Sequence, residues 1–144
     1  MTTTVVIDRI LSTQAERVWA AIEAIGGLDR WFPIIDVCRV EGEGEGAGRV
    51  MTLAGGAGEM RDRIVEIARV NRRLRYQRTH HPFPFSDYFG TVEIFEVGPH
   101  ASRLVWTVRF EAAPESEAAM RDLVHNAISD GVEGLEREMV AGAA

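Results

Sequence analysis

The stretch that decides the fold is residues 103–140, RLVWTVRFEAAPESEAAMRDLVHNAISDGVEGLEREMV. Its first part alternates: Leu104, Trp106, Val108 and Phe110 are apolar, whereas Thr107, Arg109 and Glu111 are polar. Side chains two apart share one face of a strand, so residues 103–112 read as a half-buried strand with its even positions inward. The period then changes. Met120, Leu123, Val124, Ala127, Ile128, Val132, Leu135 and Met139 recur at three- and four-residue steps, the apolar stripe of a helix over 114–140. Proline is tolerated in a first helical turn, and Glu115 and Glu117 suit the positive end of the helix dipole. A stripe of that length needs a sheet to lie on.

The rest of the chain supplies that sheet. Residues 5–11 read as a short strand, and Thr13 and Glu16 have the spacing of a capping box. Ala15, Val18, Trp19, Ile22 and Ile25 then form a helical stripe that Gly26-Gly27 ends, and a second helical piece over 28–32 stops at Pro33. Further strands are expected over 34–40, 49–53, 60–70, 74–80 and 87–97. Turn-rich segments at 42–48, 55–58, 71–72, 82–86 and 98–101 separate them. Connections this short favour antiparallel neighbours, because parallel ones need crossovers of about a dozen residues or more. The expected class is α+β, with one domain over residues 1–144.

Composition narrows the chemistry. The 16 basic residues are all arginine, so there is no amine side chain for a Schiff base and no P-loop lysine for nucleotide phosphates. A formal net charge of −6 argues against broad binding to nucleic acid or anionic lipid. Cys38 is the single cysteine and cannot form an intramolecular disulfide; with neither a signal-like N-terminus nor a long apolar run, a cytoplasmic location without membrane insertion is expected.

Several local motifs, in this order, resemble the START-like superfamily (SRPBCC), which includes birch-pollen allergens, abscisic-acid receptors and polyketide cyclase/dehydrase-type proteins. They are Val18-Trp19, the run Gly27-Leu28-Asp29-Arg30-Trp31-Phe32-Pro33, Arg61-Asp62-Arg63-Ile64, and Pro82-Phe83-Pro84-Phe85-Ser86-Asp87-Tyr88 leading to Gly90-Thr91. The resemblance spans essentially the whole chain. It implies a helix-grip fold: a curved antiparallel sheet of about seven strands around a long C-terminal helix, two short helices after the first strand, and a mainly apolar cavity between sheet and helix.

With that cavity in view, strand parity nominates its walls. Trp106 and Val108 come from the strand over 103–112. Tyr88 shares a face with Gly90, Val92 and Ile94, and the resemblance puts it in the pocket. Leu74, Tyr76, Arg78 and His80 form the inward set of the strand over 74–80. Asp62 and Ile64 share one face of the strand over 60–70 and Val65 and Ile67 the other, so its inward face is left open, with a bulge able to reconcile the two. Abscisic-acid receptors carry a pocket carboxylate at the position similar to Asp62. Trp31, Phe32, Phe83, Phe85, Met120, Val124 and Ile128 complete the expected lining.

Arg78 has two readings: a structural partner for Asp62 or Glu66, or, with Asp62, a polar anchor for a ligand's carboxylate, carbonyl or hydroxyl. His80 and His81 are adjacent and point to opposite faces, so they do not close on one metal, and no metal site is expected. His80, near Tyr88, is the candidate acid or base if the chain is catalytic. The Pro82–Phe85 segment caps a cavity mouth or packs as a turn. The glycine-rich run at 42–48 precedes a strand and carries glutamates, unlike a dinucleotide fingerprint, and Cys38 reads as a structural thiol.

Three functions remain: binding of a small, largely apolar, aromatic or polyketide-like molecule; aromatase/cyclase or dehydratase chemistry on tyrosine, histidine, aspartate and arginine; and a ligand-gated protein-interaction module. No cofactor is expected, and the state is monomer or homodimer. Without lysine, the lysine-based mechanism of alkaloid-forming relatives is closed to this chain.

Overall fold

The computed structural model describes residues 1–142. The chain order is β1 (Thr2–Leu11), α1 (Ala15–Glu23), α2 (Leu28–Trp31), β2 (Ile35–Glu41), β3 (Gly48–Leu53), a short 3-10 turn (Ala54–Gly56), β4 (Gly58–Ala68), β5 (Arg73–His80), β6 (Ser86–Gly98), β7 (Ala101–Glu111) and α3 (Pro114–Gly142). The strands form one antiparallel sheet in the order β1-β7-β6-β5-β4-β3-β2. This is the expected helix-grip arrangement.

The parity argument holds on β7, where Leu104, Trp106, Val108 and Phe110 are all buried. On β6, Tyr88, Val92 and Ile94 are buried and Phe89 and Phe95 are exposed. On β4 a register shift between Ile64 and Glu66 resolves the open question: Met60, Asp62 and Ile64 face inward, Val65 turns out, and Ile67 packs partly against the core.

Two local expectations are corrected. Helix α1 opens from Gln14, whose backbone is extended, with no side-chain cap bond; Thr13 is buried, and Glu16 is held by Arg72 (Nε to Oε1, 2.9 Å) rather than folded back into a capping box. The same helix stops at Glu23 instead of running to the glycines, because Ile25 makes the reversal in the left-handed region at φ 70°. That conformation is strained for a β-branched residue, and Ile25 is buried there.

Candidate functional site

Five neighbouring strands place their inward side chains in one band: Arg49 from β3, Asp62 from β4, Tyr76 and Arg78 from β5, Tyr88 from β6 and Trp106 from β7. Registry sets the contacts, since Arg49 lies opposite Asp62 and Asp62 opposite Arg78. The Asp62 carboxylate is fully buried and takes both arginines. Arg78 donates from Nε to Oδ1 (2.9 Å) and from Nη2 to Oδ2 (3.3 Å), and Arg49 donates from Nε to Oδ2 (2.8 Å). Arg49 also donates from Nη1 to the Ile25 carbonyl at 3.1 Å, so the strained turn after α1 presents an acceptor to this arginine.

Aromatic faces cover the cations. The Arg49 guanidinium carbon lies 4.5 Å from the Tyr76 ring centroid, and that of Arg78 lies 4.4 Å from Tyr88. Burial alone would raise the Asp62 carboxyl, but Arg78 and Arg49 together outweigh it and hold it below the ordinary carboxylate range. Burial acts to lower Arg78, yet Asp62 and the two tyrosines hold it above its ordinary value. Burial lifts the Tyr88 hydroxyl well above its usual value, so at neutral pH it is a protonated donor and not a base.

Gly90 makes this packing possible. It lies opposite Tyr76, and a Cβ there would come within 2.1 Å of the Tyr76 ring. With no side chain in the way, the Tyr76 hydroxyl reaches the indole N–H of Trp106, which donates to it at 3.1 Å. Gly90→Ala is therefore expected to displace the Tyr76 ring and destabilise the fold by about 1–3 kcal/mol. Chemical denaturation with near-ultraviolet circular dichroism reads both effects, and an unchanged aromatic spectrum would show that the ring had not moved.

The aromatic band borders a small space between the sheet and α3. Its walls are otherwise apolar, from Leu28, Phe32, Ile34, Ile35, Met60, Leu123, Val124, Ala127 and Ile128, with Phe83 and Phe85 from the β5–β6 connection. The free volume is about 40 Å³. Drug-sized ligands occupy pockets of about 300–1,000 Å³, so a guest of that size requires side chains to move. The Pro82–Phe85 segment is placed to do so: Phe83 is half-buried, while Phe85 stacks between His81 (centroids 4.1 Å apart) and Tyr88 (5.1 Å).

Of the residues nominated by sequence, Phe32, Tyr76, Arg78, Phe83, Phe85, Tyr88, Trp106, Val124 and Ile128 line this space. The others stand elsewhere. Asp62 is behind the arginines, Ile64 is packed opposite Tyr76, and Val108 lies opposite Gly90. Trp31 donates its indole N–H to Glu138 on α3, and Met120 is only half-buried near the start of that helix. His80 is corrected from an inward to an exposed position. Arg61 pairs with His80 and Asp62 with Arg78, so Thr79 is an extra residue on β5, and the bulge carries His80 to the outer face. His81 is the partly buried histidine. Its Nδ1 accepts from the Phe83 amide (3.1 Å), and burial with the nearby Arg78 charge lowers its pKa, leaving a neutral ring at neutral pH.

Arg49 was not nominated, although the signal was present. Met51 and Leu53 share its strand parity and are apolar, which puts Arg49 on the inward face. Reading 49–53 simply as a strand hides a charge at its first position.

This constellation, with a polar band at one end of an apolar space under a long helix, can be set beside known proteins. The sequence matches the family described as polyketide cyclase/dehydrase and lipid transport over residues 2–140. The chain belongs to that family. Membership of the START-like superfamily follows. No curated protein matches the sequence. Among solved structures, the Bacillus cereus protein XoxI is similar at TM-score 0.86 with 21% identity, covering 99% of this chain and 99% of that one. A Thermobifida fusca protein aligns at 0.83 with 24% identity, covering 94% and 92%. A norcoclaurine synthase point mutant from Thalictrum flavum, in complex with a transition-state analogue, aligns at 0.83 with 13% identity, covering 100% and 98%. At these identities the structural likeness speaks for the fold alone. No helix of the described residues is long and apolar enough to cross a membrane.

Proposed function

We propose that this member of the polyketide cyclase/dehydrase and lipid transport family binds a small, largely apolar molecule between the sheet and α3. One observation carries the reading: the space under α3 is apolar on every side except one, where Arg78, Tyr76 and Tyr88 are gathered. Such asymmetry suits a ligand with an apolar body and one polar end. Entry proceeds by displacement of Phe83 and Phe85, because the resting volume is small.

Catalysis is the second reading, and the pairing of Arg78 with Tyr88 favours it. A guanidinium and a protonated phenol beside one another are donors of the kind that stabilise an enolate or oxyanion during cyclisation or dehydration. Native mass spectrometry of the protein purified from its own host tests binding first. A co-purified apolar molecule, released on unfolding and raising the melting temperature when returned, is the expected result. No bound molecule, and no thermal shift across a broad apolar panel, would overturn the binding reading in favour of a protein-interaction module. Chemical change of the recovered molecule during incubation would establish the enzyme.

A further inference from the structure

Beneath Arg78 the buried charges do not balance. The side chains of Arg49, Asp62 and Arg78 are 4%, 0% and 10% exposed, so two cations share one anion and the cluster carries one net positive charge inside the protein. Among the described residues, neither arginine forms an ion pair with any carboxylate other than Asp62. Glu66 is bonded to Arg73. Burial raises the Cys38 thiol, keeping it protonated, and the Tyr88 hydroxyl and His81 ring are neutral at neutral pH. Two unused donors mark the same surplus. Arg49 Nη2 is buried without a hydrogen-bond partner. Arg78 binds Asp62 through Nε and Nη2, and its Nη1 makes no hydrogen bond among the described residues while the side chain lines the cavity.

A buried cation with a free edge is costly unless an anion meets it, and a guanidinium fork matches a carboxylate better than a point charge would. Resting on the cavity reading above, we infer that the cavity's ligand is an organic anion, an apolar body ending in a carboxylate that accepts from Arg78, with the Tyr88 hydroxyl beside it as a second donor. Arg49 has a positioning role. By sharing Asp62 it leaves Arg78 incompletely neutralised, so the aspartate orients the fork without cancelling its charge.

A matched pair of probes separates this inference from the cavity reading: 6-phenylhexanoate and the uncharged 6-phenyl-1-hexanol, titrated calorimetrically into the intact protein at neutral pH. The acid is expected to bind tighter by about tenfold or more, the scale of one charge-assisted hydrogen bond. Arg78→Met should abolish the preference, bringing the acid's affinity level with the alcohol's measured on the same variant. Arg49→Met, which leaves a neutral Asp62–Arg78 pair, should shrink the preference as well. An Arg109→Met control removes an exposed arginine of the outer sheet face and should change nothing.

Equal affinities in the unaltered protein would overturn the anion inference and leave the cavity reading standing. No binding of either probe would overturn both. An acid preference that survives both Arg78→Met and Arg49→Met would overturn the assignment to this cluster. The comparison in the unaltered protein decides the charge question even if a variant fails to fold.

Discussion

Asp62→Asn is expected to destabilise the protein by about 3–5 kcal/mol, the scale found when one member of a buried ionic cluster is removed and its partners are left charged. The side chain is nearly isosteric, so the loss reports charge and not volume. With the carboxylate gone, Arg49 and Arg78 share one neutral amide oxygen in place of an anion, beside the Tyr76 and Tyr88 faces and the Ile25 carbonyl. Arg49→Met should cost less, because it leaves the Asp62–Arg78 pair electrically balanced. Urea unfolding of the two variants beside the parent measures the difference. If Asp62→Asn lay within about 1 kcal/mol of the parent, at the level of an exposed ion pair, the buried cluster would not be holding the sheet. The pH dependence has a definite sign. The folded-state pKa of Asp62 is depressed, so its contribution is fully present above the unfolded-chain value near about 3.9 and is lost as pH falls through the lower folded value. The asparagine variant should lack this acid-sensitive component.

The sequence made this cluster only half legible, for a reason that lies in strand geometry. Alternation predicts faces correctly where a strand is regular, as on β7, and Trp106 came out inward from Leu104, Val108 and Phe110 alone. It breaks where a residue is inserted. Thr79 shifts His80 to the outside, and the shift after Ile64 brings Ile67, opposite Leu74, back toward the core, yet neither bulge has a marker in residue type. Arg78 and Asp62 could be paired on paper because they lie on adjacent strands. Arg49 is also on a strand adjacent to Asp62, with inward parity, but its second contact is not legible, since it depends on Ile25 turning back in a conformation β-branched residues avoid. The stripe of α3 shows the same limit. Its large apolar residues announce themselves, whereas Gly131 and Gly134, both buried, carry no hydrophobic signal although they set how closely α2 can approach.

Gly134→Ala puts that approach to the test. On helix propensity alone the change should stabilise α3 by about 1 kcal/mol, since glycine is a poor helix residue. Packing opposes it. A Cβ at 134 would lie 2.2 Å from the Trp31 carbonyl oxygen, 2.6 Å from its Cα and 2.8 Å from its carbonyl carbon. All three are backbone atoms, so no rotamer change relieves the contact and α2 itself must lift from α3. Ordinary overpacking costs about 1–3 kcal/mol, and a backbone clash this close belongs at or beyond the upper end, so a net loss of about 2 kcal/mol or more is expected. The consequence reaches the cavity. Helix α2 carries Trp31, bonded to Glu138, and the next residue, Phe32, covers Gly131 and meets Trp106 edge-on with ring centroids 5.6 Å apart. Lifting α2 should therefore withdraw Phe32 from the cavity wall and weaken binding of any apolar probe as well as lowering the melting temperature. Asn126→Ala, on the exposed face of the same helix, isolates the propensity effect and should stabilise slightly. A Gly134→Ala protein as stable as the parent would mean that the two helices do not meet backbone to side chain at this point, and that α2 is free to move without opening the core.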